Sequence, residues 1–171
     1  MMMEQPQATM SAEDEARMIA ALGQVFDLAR NGDAVALAAL IERGMPPNLR
    51  NEKGDTLVML AAYHGHANAL RTLLEVGASP DIRNAMGQTP IAGAAYKGYT
   101  EIVEILLEHG ADVEGASPDG RTALMTAAMF QRTDIVDILK AHGADPNARD
   151  NRGMTAADAA AFMAGRHGSP H

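Results

Sequence analysis

Six histidines and 22 acidic residues are the side chains of this 171-residue chain with the most obvious capacity for chemistry. Imidazoles could hold a metal ion, and paired carboxylates could move protons. Their spacing argues against both. His64 and His66 stand two residues apart at a helix end, so they do not aim at one point. His109 and His142 occupy equivalent places 33 residues apart. On stacked helices about 8–10 Å apart, both rings would have to bend inward to share an ion held by bonds of about 2.0–2.1 Å. Each precedes a glycine at a helix end, where the helix dipole favours a cationic ring. His167 and His171 lie in a short tail. Glu101, Glu104, Glu108, Asp134 and Asp137 fall on outer helix faces and read as solvated surface. There is no P-loop, GxGxxG, HExxH or GxSxG pattern. The absence of cysteine removes disulfides, thiolate metal sites and a cysteine nucleophile. The expectation is a protein without catalytic activity, cofactor or metal.

The bulk composition narrows the class. Of the residues, 47% are hydrophobic, dominated by Ala, Leu, Met and Ile, with three Tyr, three Phe and no Trp. Small side chains suit closely packed helices better than a broad sheet. A formal charge of −8 argues against generic nucleic-acid binding, which needs a basic footprint. The stretch MMMEQPQATMSAEDEARM has neither a basic n-region nor a long apolar h-region, so no secretory signal is read. No apolar run approaches the length of a membrane span. A soluble, cytoplasmic, monomeric protein is expected.

What positions these residues is a repeat. Gly54, Gly87, Gly120 and Gly153 are each 33 residues apart, and Gly44, Gly77, Gly110 and Gly143 keep the same step. So do Thr56, Thr89, Thr122 and Thr155, and the pairs Ala61-Ala62, Ala94-Ala95, Ala127-Ala128 and Ala160-Ala161. The first glycines sit in polar stretches such as NEKGDT and suit hairpin tips; the second follow helical runs such as IVEILLEH and suit helix caps. Gly32, Gly65 and Gly98 end a first short helix. The alanine pairs mark close helix approaches. Val58, Ile91 and Leu124, with Leu73/Leu74, Leu106/Leu107 and Ile138/Leu139, supply apolar stripes. One unit is finger, helix, tight turn, helix, cap. Its helices, about 8–10 residues long, are marginal alone and must stack on the next unit, which makes a solenoid.

The stretches GQTPIAGAAYKGYTEIVEILLEHGADV (87–113), GDTLVMLAAYHGHANALRTLLEVGASP (54–80) and GRTALMTAAMFQRTDIVDILKAHGADP (120–146) resemble the ankyrin repeat family. The resemblance covers nearly all of 22–166 and implies an all-α ankyrin repeat solenoid with hairpin-like fingers. Residues 1–10 are expected to be disordered. Residues 11–50 form an N-terminal capping helix, opened by Ser11 and Asp14 and running from about 12 to 30 over the flank of the stack, with a degenerate first repeat. Residues 51–83, 84–116 and 117–149 are full repeats, 150–166 a truncated capping repeat and 167–171 a tail. Two departures stand out. The family's Thr-Pro-Leu-His tetrad has Met59, Ala92 and Met125 where the inter-repeat histidine would stand. Gln131 replaces the turn glycine of repeat 4.

In that family the fingers and first helices line a concave groove that binds partner proteins. Four of the six aromatic residues, Tyr63, Tyr96, Phe130 and Phe162, fall in one adjoining pair of helix-end columns, joined by Met129 and Met163. Large aromatic and Met side chains at sites expected to be exposed suggest an interaction surface, unless they only pack between repeats. The expected partner-binding residues are Tyr63, His64, Met86, Tyr96, Lys97, Arg121, Met129, Phe130, Arg152, Phe162 and Met163. Arg50, Arg83 and Arg149 share a finger column, which fits either a basic binding stripe or local pairs with Asp81 and Asp145. The expected partner is a protein with an apolar ridge and an acidic rim, with no nucleic acid and no membrane. The alanine-rich, short array looks bacterial. An inhibitor, immunity or accessory protein of one enzyme or toxin is the sharper expectation; a structural or stress-related assembly factor is the alternative.

Overall fold

The computed structural model describes residues 9–166. The disorder expected at the N-terminal end and the 167–171 tail, with His167 and His171, fall mostly or wholly outside the described residues. The chain forms α1 (Ala12–Asn31), α2 (Ala34–Glu42), α3 (Leu57–Tyr63), α4 (Ala67–Glu75), α5 (Pro90–Lys97), α6 (Thr100–Glu108), α7 (Ala123–Met129), α8 (Thr133–Ala141) and α9 (Ala156–Arg166). The first helices α1, α3, α5, α7 and α9 stack in one layer, and α2, α4, α6 and α8 in another. Among the described residues the only extended pairing is a bridge between Arg50 and Thr56.

Local chemistry starts each first helix. The Thr56, Thr89 and Thr122 hydroxyls accept the amides of Met59, Ala92 and Met125 at 3.1, 3.3 and 3.3 Å. Each such cap stabilises its helix by about 1 kcal/mol. Of the alanine pairs, Ala61, Ala62, Ala94, Ala95 and Ala127 are fully buried, as close helix stacking requires, whereas Ala128 and Ala160 are half-buried and Ala161 on the last described helix is exposed. Val58, Ile91, Leu124, Leu73, Leu106 and Leu139 fill the space between the layers. Leu74 and Leu107 are followed in register by exposed Lys140, so the apolar column gives way to a charge on the flank that no further described second helix covers. Ile138 lies outside that register.

At the other flank the helix begins as expected. Ser11 Oγ accepts the Asp14 amide at 3.1 Å and donates to the Asp14 carboxylate at 2.8 Å. The expected cover is only partial, however. Val25, Phe26 and Ala29 of α1 are buried, whereas residues 12–24 are exposed apart from half-buried Leu22. At nine residues, α2 is too short to reach them: α1 outruns it by roughly 16 Å at 1.5 Å per residue.

The junctions between repeats do not use the family's histidine. Three other columns hold them. Asn48 and Asp81 accept the amides of Ser79 and Asp112, one repeat on, at 2.8 and 3.0 Å, and Glu114 accepts that of Asp145. In the fingers, Ala85 donates to the Lys53 carbonyl and Asn151 to that of Asp119, both at 2.9 Å. Pro118 fills the intervening position and has no N–H to offer. Finally, the side chains of His66, Tyr99 and Arg132 lie over the turn glycines Gly32, Gly65 and Gly98 of the preceding repeat. A Cβ on Gly98 would stand 2.9 Å from Arg132 Nε, and one on Gly32 2.6 Å from the His66 ring.

Gln131 stands at the same turn position with φ 57°. The residue one repeat after Arg132 is Gly165, which has no side chain to cover it, so Gln131 fits sterically although its backbone is strained. Gln131→Gly is expected to raise stability by about 1–2 kcal/mol, the cost of a non-glycine residue in the left-handed region. A urea midpoint that is unchanged or lower contradicts that account.

The finger tips generate a second expectation. The Asn51 side-chain oxygen accepts the amides of Lys53 and Asp55 at 3.0 and 2.9 Å, and that of Asn84 accepts those of Met86 and Gln88 at 3.0 Å each. Asp150 does the same for Arg152 and Met154 at 2.9 and 3.0 Å. The Met154 and Arg152 amides, with the Arg152 charge, hold the Asp150 carboxyl below its ordinary value. A depressed folded-state pKa contributes stability above the unfolded value of about 3.9, and that contribution is lost as pH falls through the folded value. Asp150→Asn keeps the acceptor and removes the titration. The urea midpoint of the variant should therefore fall less than that of the wild type between neutral pH and pH 3; an equal fall contradicts the assignment.

Candidate functional site

The concave face is a groove of about 940 Å3. Its floor is Met59, Leu60, Ala92, Gly93 and Thr126 of α3, α5 and α7, and its helix-end wall is Tyr63, Tyr96 and Phe130. The finger wall includes Lys53, Asp55, Met86, Gln88, Pro118, Asp119 and Arg121. Burial of the small alanines between stacked helices leaves bulk to be carried on the groove side. Tyr63 is 39% exposed, Tyr96 44%, Phe130 37% and Met86 72%, so these side chains are available as well as packed.

The rings are nevertheless fixed in place. Tyr96 and Phe130 meet edge to face, with centroids 4.9 Å apart and planes at 87°. That geometry is favourable by about 0.5–1.5 kcal/mol beyond area burial. Tyr63 leans over the next repeat, its Cδ2 3.5 Å from where a Gly93 Cβ would stand. The Lys97 ammonium lies 4.9 Å from the Tyr63 centroid and 5.9 Å from that of Tyr99. The Tyr96-Lys97 pair thus points its two side chains to different neighbours: Tyr96 to the following repeat, Lys97 to the preceding one.

Of the expected binding residues, Tyr63, Met86, Tyr96, Arg121 and Phe130 line this groove. Met129 is half-buried behind Phe130 in the chain. His64 and Lys97 lie on the rim, with the His64 ring edge-on to Tyr63 at 5.6 Å. Arg152, Phe162 and Met163 belong to the last finger and α9 and do not line the groove. Arg152 lies 3.7 Å from Asp150, and Phe162 packs under the Arg166 guanidinium at 5.5 Å. The hollow at Ala92-Gly93, where Met59-Leu60 and Met125-Thr126 stand in the neighbouring repeats, is not among the expected binding residues. Its signal is a glycine in mid-helix, which costs about 1 kcal/mol relative to alanine.

The finger arginines Arg50, Arg83 and Arg149 are exposed, and the local pairs expected with Asp81 and Asp145 are replaced by bonds to backbone carbonyls. Arg50 donates to the Gly54 carbonyl at 3.3 Å and also to that of Arg83; Arg83 donates to Gly87 at 3.1 Å and also to Ala116. Arg149 donates to Gly153 at 2.6 Å. These guanidiniums tie finger carbonyls together, within and between repeats, and among the described residues none of them forms an ion pair with Asp81 or Asp145. Arg121 approaches Asp119 at 3.6 Å. The Ser117 hydroxyl, with the Arg121 amide and charge, holds the Asp119 carboxyl below its ordinary value.

At the rim, burial and the nearby charges of His66, Lys97 and Arg30 push the His64 pKa down. His109 and His142 donate from Nδ1 to the carbonyls of Ile105 and Ile138 in their own helices at 2.8 and 2.9 Å. Among the described residues, no group of three or more His, Asp or Glu side chains is placed to hold a metal, and no helix is long and apolar enough to cross a membrane.

Comparison with known proteins accords with this geometry. A family model described as ankyrin repeats, in three copies, matches residues 25–116, and a single ankyrin repeat model matches 119–151. A Pseudomonas aeruginosa protein described as an ankyrin repeat protein is 61% identical over 41 residues. That stretch spans 24% of this chain and 24% of the relative. Proteins of this kind generally mediate protein–protein interactions. With more than half of its length matched by the repeat model and its helices stacked in the same register, the chain belongs to the ankyrin repeat family.

Proposed function

We propose that the protein binds a partner protein in its concave groove and carries out no chemistry on it. The observation that carries this reading is the hollow over Ala92-Gly93, enclosed by partly exposed Tyr63, Tyr96, Phe130 and Met86. An apolar ridge on the partner would seat its anchor side chain there. Tyr supplies rigid contact area, and Met adapts to an irregular surface. An interface of standard size, about 800 Å² on each side, fits a surface of this kind. Because the rings are already packed, little ordering entropy is lost on binding. The protein acts as a monomer in the cytoplasm of a bacterium on this reading, and the Pseudomonas relative supports the last element. The sharper form makes the partner one enzyme or toxin that the protein inhibits or assists.

The test is affinity capture from the native host with tagged wild type, Tyr96→Ala/Phe130→Ala and Gly93→Leu, the retained proteins being identified by mass spectrometry. Gly93 has an ordinary helical backbone, and a Cβ there meets only Tyr63 at normal contact distance. Leu60 already fills the equivalent position of the preceding repeat. Gly93→Leu gains up to about 1 kcal/mol of helix propensity while filling the hollow against the Tyr63 ring, and its folding is checked by circular dichroism. One partner held by wild type and lost by both variants is the expected result. Equal retention by all three proteins contradicts the groove reading. Assay of the captured protein with and without this chain separates inhibition from assistance.

A further inference from the structure

Although the chain carries a formal charge of −8, one edge of it is basic. At the C-terminal ends of α1, α3 and α5 stand Arg30, His64 and Lys97, and the second-helix starts add His66 and Arg132. These groups form a continuous ridge. His66 Nε2 donates to the Arg30 carbonyl at 2.6 Å. The His64 and His66 rings stack with centroids 6.5 Å apart. Lys97 lies over Tyr63, beside His64, and Arg132 donates to the Tyr96 carbonyl at 3.2 Å. Among the described residues the ridge has one ion pair, Asp27 on Arg30 at 2.6 Å. Asp134 shares a shallow hollow with Arg132 but makes no ion pair with it.

Cations at helix C-termini offset the helix dipole, but that need recurs in every repeat and this pattern does not. The column that holds His64 and Lys97 continues as Phe130 and Met163. The crowding is also self-repulsive: after burial, which is the larger cause, the charges of His66, Lys97 and Arg30 disfavour the charged form of His64. Like charges gathered on one edge of an acidic protein weaken the fold and gain from an anionic neighbour.

We propose that this ridge receives a carboxylate-bearing segment of the partner protein, laid along His64, Lys97 and Arg132 beside the groove. The proposal rests on the groove reading for the identity of the partner as a protein. It also adds a basic side to the interface away from the fingers, where Arg50 and Arg83 each bridge two backbone carbonyls while Arg132 meets only one. A short acidic protein segment suits the ridge better than a nucleic acid, whose regularly spaced phosphates call for a longer basic footprint than these few groups supply. Binding of carboxylates favours His64 in its charged form, facing Arg30, His66 and Lys97, with Asp27 as the neighbouring acid. Affinity should therefore rise as pH falls toward and below the ordinary histidine range, about 6.5.

Hexaglutamate, hexalysine and single-stranded oligothymidine are the probes, titrated at low salt while the His64 imidazole and backbone amide signals are followed by NMR. Hexaglutamate should shift the His64, Lys97 and Arg132 signals and raise the His64 titration midpoint. Lys97→Glu/Arg132→Glu should weaken it by about tenfold or more, as reversal of close charge pairs does. Lys97→Gln, which leaves the Arg132 bond to Tyr96 intact, should weaken it less. Hexalysine should do nothing, and about 0.5 M salt should abolish the effect by shortening the screening length to roughly 4 Å. Tyr96→Ala/Phe130→Ala should leave hexaglutamate binding in place, so failure of the groove reading is seen separately in the capture experiment. Absence of a shift, or shifts confined to the finger arginines, overturns the proposal. Tighter binding of oligothymidine than of hexaglutamate overturns it in favour of a nucleic-acid ligand.

Discussion

Helices of seven residues, such as α3 and α7, have little stability alone in water. Everything in this molecule depends on each first helix finding the next at close range. Alanine pairs allow the approach, and each turn is overlaid by a side chain from the following repeat. The turn glycine is therefore fixed twice, once by its left-handed backbone and once by the His66, Tyr99 or Arg132 side chain that lies against it. Where the overlay ends, at Gln131, the second constraint disappears and the glycine with it.

The same constraint shapes the concave face. Small residues between the helices keep the stack close, and the aromatic side chains at the ends of α3, α5 and α7 lie on the groove side. Tyr63, Tyr96 and Phe130 then pack from one repeat to the next, so their positions follow from the stacking itself. The central repeat interrupts its floor with Ala92-Gly93, and this is where the proposed anchor enters. Charge is organised by the same geometry. Arg50, Arg83 and Arg149 bond to carbonyls and hold the fingers, Lys53 and Arg121 stand in the finger wall of the groove, and His64, Lys97 and Arg132 form the helix-end ridge.

The period of 33 was legible because its columns have local causes: a threonine that caps, a glycine that turns, an alanine that lets helices touch. Columns whose members share a position but no chemistry were not. His66, Tyr99 and Arg132 have nothing in common in the sequence, and their shared task is visible only once the glycine beneath each is located. Arg50 and Arg83 read as charge because nothing local shows that a guanidinium reaches a carbonyl one repeat away. The limits of α1 were legible from its cap, but its cover was not, because that depends on the length of α2. At the site, the aromatic column stood out as a departure from a repeat of small residues. Phe162 and Met163 shared the register, yet the groove lining does not extend to α9. The hollow at Ala92-Gly93 was passed over because missing bulk in one repeat does not announce a site.

The central claim is that stacking turns marginal helices into one firm platform for the groove. Native-state amide hydrogen exchange across α3, α5 and α7 tests it most directly. On this account the slowest amides of α5 open with the same free energy as those of α3 and α7, close to that of global unfolding, with or without the Tyr96→Ala/Phe130→Ala changes. Exchange of α5 through a local opening well below the global value, while α3 and α7 stay protected, would contradict it: the groove would then be ordered by its partner and not by the stack.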